Sequence, residues 1–89
     1  MLSANRFEVA AEVRRIVSET LAISAHEISE STLIIEELRA TSLDVVILAM
    51  TLGDFFGVEF NLAEIPSTRV SVSWVIEYIC FQTRGSRRR

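Results

Sequence analysis

The 89 residues include no lysine, one cysteine, one histidine, one proline and three glycines, and each shortage removes a class of function. Cys80 alone cannot close an internal disulfide, and no charged, apolar and small-residue leader opens the chain, so the expected compartment is the reducing cytoplasm. Cys80 lies in an apolar helical run and reads as a small core hydrophobe, not a reactive thiol. His26 lies in the polar stretch SAHEIS with no second imidazole or thiol beside it, which leaves neither a zinc site nor a nucleophile-base pair; it reads as a solvated loop residue. Glu36 and Glu37 are adjacent and read as solvated loop carboxylates. There is no glycine-rich phosphate loop. Thr51 and Asp54 interrupt the longest apolar run, so no stable membrane insertion is expected. The sequence offers no catalytic set and no metal ligands.

What is present is apolar mass and a divided charge. Hydrophobic residues make up 49% against 24% charged, which is enough apolar surface for one modest core and unlike a disordered chain. The net charge is −3, but the acids all precede residue 82 and four of the nine arginines crowd into residues 84–89. An acidic body repels nucleic acid and anionic lipid and favours partners with basic surfaces, so no nucleic-acid partner is expected. The RGSRRR end has no apolar anchor. The expected organisation is one folded domain over residues 1–82 and a basic, disordered tail over residues 83–89.

Apolar spacing predicts three main helices. Phe7, Val9, Val13, Ile16, Val17 and Leu21 recur near 3.6-residue spacing within residues 4–21, with Ser3 as cap. Residues 22–41 then form a long connection whose Ile23, Ile28, Leu33, Ile34, Ile35 and Leu38 can pin it across the core. Residues 42–56 predict a second helix ended by Gly57, with Leu48, Leu52 and Phe56 as core stripe and Leu43, Val46 and Met50 as a second stripe. A helix apolar on nearly all sides is either buried or meets something outside. Ser71 caps a last helix to about Gln82, whose Val72, Val75, Ile76 and Ile79 face the core and whose Trp74, Tyr78 and Phe81 pack at its edge. A short helical turn is expected near Leu62 to Ile65. Val13 and Ile16 complete the predicted core.

The stretch RATSLDVV, residues 39–46, outlines a capping box: Thr41 followed three residues on by Asp44. The order of features around it carries more. A first helix, a long pinned loop, a serine opening the second helix, the exit DFFGVEF and the final SVSWVIEYI follow one another over Phe7 to Cys80, and residues 13–44 match without a gap. In this the chain resembles the acyl carrier proteins. The resemblance implies an all-α fold, a small four-helix bundle of three main helices and one short one with a long first loop. It also implies that Ser42, within the family motif Gly-x-Asp-Ser-Leu, receives a covalent 4'-phosphopantetheine arm from coenzyme A, with Thr41, Leu43 and Asp44 completing the site.

The implied function is carriage of acyl intermediates as thioesters for fatty-acid, lipid or polyketide-type biosynthesis. The chain would be a substrate of phosphopantetheinyl transferase and of an acyl-ACP synthetase, ketosynthase or acyltransferase, not itself a catalyst. Ser42 needs no internal base, only an exposed hydroxyl at a helix start that favours phosphate charge. Three departures mark the chain. Thr41 stands for the motif's aspartate and Arg39 for its glycine, and Ile47, Gly53 and Phe55 occupy positions where carriers usually present glutamates. The partner surface is therefore expected to be apolar and to consist of Leu43, Val46, Ile47 and Met50; alternatively these residues line an internal pocket or a self-association contact. The competing functional reading is an unmodified carrier-fold adaptor that binds partners through the same helix. A third is an unrelated helical module in which TSLD is only a cap.

Overall fold

The computed structural model describes residues 5–86, the side chains of residues 84–86 excepted. Three helices carry the fold: α1 (Arg6–Leu21), α2 (Ser42–Phe56) and α3 (Val72–Ser86), with single 3-10 turns at Ala25–Glu27 and Leu62–Glu64. The all-helical bundle expected from the sequence is thus present, its short fourth element reduced to the turn at Leu62–Glu64.

Each helix starts where a side chain can replace a missing backbone partner. Asn5 Oδ1 accepts the Glu8 N–H at 2.8 Å and opens α1; the expected cap, Ser3, lies outside the described residues. Ser71 Oγ accepts the Trp74 N–H at 3.0 Å and opens α3. Gly57 closes α2 in the left-handed region, φ 69°, and its N–H returns to the Gly53 carbonyl, an orphan acceptor of the last turn. Helix α3 continues to Ser86, beyond the expected end near Gln82. Thr83 Oγ1 donates to the Ile79 carbonyl at 3.0 Å within that extra turn. Residues 83–86, expected in the tail, are therefore helical, and residues 87–89 lie outside the described part.

The core is centred on α1, which packs against both α2 and α3, whereas α2 and α3 touch only slightly. Although α2 is the most apolar helix, continuous burial is on α1: Val9, Val13, Ile16 and Val17 are all closed off from solvent. Leu48, Leu52, Val72, Ile76 and Ile79 are buried as expected, and Phe56 is half-buried. Burying each such side chain stabilises by about 1.5–3 kcal/mol relative to exposure.

The long connection is held by polar and apolar pins together. Ile28 and Ile34 are buried. Arg14 Nε donates to the Ile28 carbonyl at 3.1 Å. A single antiparallel bridge joins Leu33 to Ser71: the Ile34 N–H donates to the Val70 carbonyl at 2.8 Å and the Val72 N–H to the Thr32 carbonyl at 3.0 Å. Arg6 spans Glu30 at 3.0 Å and Glu77 at 2.8 Å, tying the loop to α1 and α3; the Arg6 hydrogen bond holds the Glu30 carboxyl below its ordinary range. Glu36 and Glu37 are exposed but not merely solvated, since they accept the N–H groups of Arg69 at 2.9 Å and Leu33 at 3.1 Å.

Two backbone positions bear on the departures noted in the sequence. Arg39 has φ 63°, the left-handed region that favours glycine. Gly53 is buried, and a Cβ there would lie 2.8 Å from the Val58 carbonyl oxygen, a backbone atom with little freedom to retreat. The apparent loss of helix propensity is a packing requirement. Replacing Gly53 with alanine is expected to lower stability by about 1 kcal/mol net, overpacking of about 2 kcal/mol exceeding a propensity gain of about 1 kcal/mol. A lower urea midpoint at unchanged slope would show it. Arg39→Gly should act the other way. Removing about 1–2 kcal/mol of left-handed strain against about 0.5–1 kcal/mol of added unfolded-chain entropy raises the thermal midpoint by a few degrees.

Candidate functional site

The start of α2 is a closed hydrogen-bonded corner. Thr41 Oγ1 accepts the Asp44 N–H at 3.1 Å and the Thr41 N–H donates to Asp44 Oδ2 at 3.0 Å, so the capping box read from the sequence is complete. Each side chain is occupied by the other residue's backbone amide. Ser42 follows as the first helical residue, exposed, and its hydroxyl enters no hydrogen bond among the described residues. The N–H groups of Ser42 and Leu43 are likewise not used by the cap. Free amides and the helix dipole both favour negative charge at this point.

These features fit a phosphodiester-linked arm on Ser42: the acceptor oxygen is accessible, the turn around it is rigid, and the local field suits the phosphate. Thr41 does the capping work of the motif's aspartate without its charge. The only carboxylate in this corner, Asp44, is held by the Thr41 N–H.

The outer face of α2 begins beside Ser42. Leu43 is 67% exposed, Met50 65% and Ile47 40%, with Val46 half-buried between them, so these four expected surface residues do form one continuous apolar stripe. They do not line the interior. The interior cavity, about 30 Å³, is lined on the opposite face of α2 by Val45, Leu48, Ala49 and Leu52. Phe55 extends the exposed face at the far end of α2, where the Arg15 guanidinium lies 5.6 Å from its ring; Arg15 is itself fixed by Glu12 at 2.8 Å and Glu19 at 3.2 Å.

A groove of about 240 Å³ runs beside this face, between α2 and the segment after it, lined by Val46, Met50, Gly53, Val58, Phe60 and Leu62 among others. Sequence reasoning missed Val58 and Phe60. The signal was available, because apolar residues at alternate positions after Gly57 mark an extended segment with one face turned inward. Aromatic packing is partly as expected: Trp74 and Tyr78 stack at 5.3 Å, and Phe60 joins them at 4.8 Å from Tyr78. Phe81, expected in the same stripe, is instead 70% exposed. His26 is exposed, its Nδ1 2.8 Å from Ser24 Oγ. Cys80 is half-buried against the core. Among the described residues no helix is long and apolar enough to cross a membrane.

Comparison with known proteins agrees with this geometry. The family described as a phosphopantetheine attachment site matches residues 11–79. An acyl carrier protein of Campylobacter hominis is 40% identical over 72 residues, covering 81% of this chain and 90% of its own. One of Thermotoga maritima is 33% identical over 76 residues, covering 85% and 93%. One of Chlamydia caviae is 38% identical over 68 residues, covering 76% and 87%. With a capped serine at the start of the second helix and a match along most of its length, the chain belongs to the acyl carrier protein family.

Proposed function

We propose that Ser42 is the residue that carries the 4'-phosphopantetheine arm, and that the protein presents acyl groups to enzymes of fatty-acid, lipid or polyketide-type biosynthesis. The observation that supports this most is the exposed, unpartnered Ser42 hydroxyl on the first turn of a rigidly capped helix. In attachment Ser42 Oγ attacks the pantetheine-side phosphorus of coenzyme A's diphosphate, the P–O bond to the other phosphate breaks, adenosine 3',5'-bisphosphate leaves, and the phosphopantetheinyl transferase provides the base that takes the serine proton. Thr41 and Asp44 hold the turn, and Leu43 borders the point of attachment. When bound, the arm supplies a terminal thiol on which acyl groups travel as thioesters. The chain's own work is to hold the attachment point still and to offer a surface to each enzyme in turn. The reducing cytoplasm suits both a thiol arm and the lone Cys80.

That surface is the outer face of α2: Leu43, Val46, Ile47 and Met50. Helix α2 contains no cation, and its only acids are Asp44, engaged in the cap, and Asp54. Apolar contact therefore dominates docking to the transferase and to the acyl-ACP synthetase, ketosynthase or acyltransferase that follows. Burial of apolar surface is insensitive to ionic strength, whereas charge steering weakens as salt rises.

Two measurements test the proposal. Incubation with coenzyme A and a broad-range phosphopantetheinyl transferase should add one phosphopantetheine to the intact mass, and Ser42→Ala should abolish the gain. No gain on folded protein, beside a control carrier that loads, would overturn the assignment in favour of an unmodified adaptor. For docking, Met50→Ala should raise the transferase KM about tenfold, corresponding to about 1.4 kcal/mol. The wild-type KM should change little between low and high salt. A steep salt dependence with a silent Met50→Ala would place docking on charge instead.

A further inference from the structure

The acidic charge of the body is not spread evenly. Helix α3 carries one acid, Glu77, and no acid follows it in the chain. Glu77 is paired with Arg6 at 2.8 Å, and Arg6 also holds Glu30. Arg84 and Arg87 to Arg89 then crowd into residues 84–89. Arg84 falls within α3, which runs to Ser86. The other three follow it directly, and three residues reach at most about 11 Å, so their charge stays at this end of the bundle. Even with Glu8 and Glu30 counted beside Glu77, arginines outnumber acids here.

Two large rings are exposed at the same end: Phe81 by 70% and Phe7 by 81%. Phe81 stands one helical turn beyond Glu77, on the same face of α3, and Phe7 is the neighbour of Arg6, which reaches Glu77. Trp74 and Tyr78, the other rings of the α3 stripe, stack on each other at 5.3 Å. Phe7 and Phe81 have no ring partner among the described residues. Exposed rings beside arginines, with the adjacent acid already paired, match the boundary between lipid headgroups and acyl chains: the rings bury their apolar bodies there and guanidinium groups meet phosphate. An acidic protein surface would answer the charge but not the two rings, which need an apolar layer.

We propose that Phe7, Phe81, Arg84 and Arg87 to Arg89 form a docking surface for an anionic lipid membrane. The contact is adsorption, since among the described residues no helix is long and apolar enough to cross a bilayer. The acidic remainder of the body is repelled, which turns this end alone towards the lipid. Ser42 stays clear of it. The Ile34 N–H donates to the Val70 carbonyl and the Ile34 carbonyl accepts the Ala40 N–H, so α2 and α3 begin close together; Phe81 lies about 14 Å along α3 from Val72. The surface does not depend on the attachment at Ser42.

Co-sedimentation of the full chain with vesicles tests it. Phosphatidylcholine vesicles containing about one-third phosphatidylglycerol should bind the protein, phosphatidylcholine alone should not, and high salt should release what is bound. Phe81→Ser should weaken binding to the anionic vesicles about tenfold, and Phe7→Ser likewise. Both rings are exposed, so the circular dichroism of either variant should match the wild type. Arg87→Gln, Arg88→Gln and Arg89→Gln combined should weaken binding about a hundredfold. Equal binding to neutral and anionic vesicles would overturn the proposal. So would anionic binding that both ring variants leave intact, which would mean adhesion by charge alone. Absence of sedimentation with anionic vesicles would also overturn it and leave an acidic protein as the partner of the arginines.

Discussion

The bundle depends on how the connection between α1 and α2 crosses its core without leaving backbone groups unpaired. Ile28 and Ile34 are buried within it, which forces their neighbouring amides and carbonyls away from water. The short bridge to residues 70–72, together with Arg14 on the Ile28 carbonyl, meets that demand. These bonds also fix where α2 and α3 begin. Thr32 and Val72 are joined, so the first residue of α3 is set by the loop. The loop then turns through Arg39 in a left-handed conformation to deliver Thr41 as a cap. Ser42 owes its position to this chain of constraints.

Helix α2 is apolar on two faces because it has two separate duties. Its inner face, Val45, Leu48, Ala49 and Leu52, borders a cavity left open because α2 and α3 scarcely touch. Its outer face is exposed from Leu43 onward. A helix with mean burial potential on all sides would normally sit in the middle of a bundle. Here α1 takes that place, and one α2 face remains available beside Ser42. Gly53 sits between the two arrangements: its missing side chain lets the Val58 carbonyl approach, which draws the following segment against α2 and forms one edge of the outer groove.

Much of this was legible in order along the chain. The 3.6-residue spacing located the three helices, Gly57 marked the end of α2, and the Thr41 and Asp44 pair marked its start. The resemblance pointed to Ser42, where the structure has an exposed hydroxyl on the first helical turn. The boundaries that failed depended on weaker local signals. Asn5 rather than Ser3 caps the described start of α1, and α3 runs on to Ser86. Glu36 and Glu37 looked solvated because their partners, the amides of Arg69 and Leu33, are backbone groups that sequence does not advertise.

What the sequence determined by itself is periodic or adjacent: which residues share a helical face, which capping pair opens α2, and which chemistry is missing. Such features need only bond geometry and nearest neighbours. The tertiary structure alone decided which helix is central, which apolar face of α2 stays outside, why a side chain at Gly53 is crowded, and that Phe60 stacks with Tyr78 and lines the cavity with Trp74. Each of these follows from contacts between residues distant in the chain, and close packing selects among faces that are equally apolar in sequence.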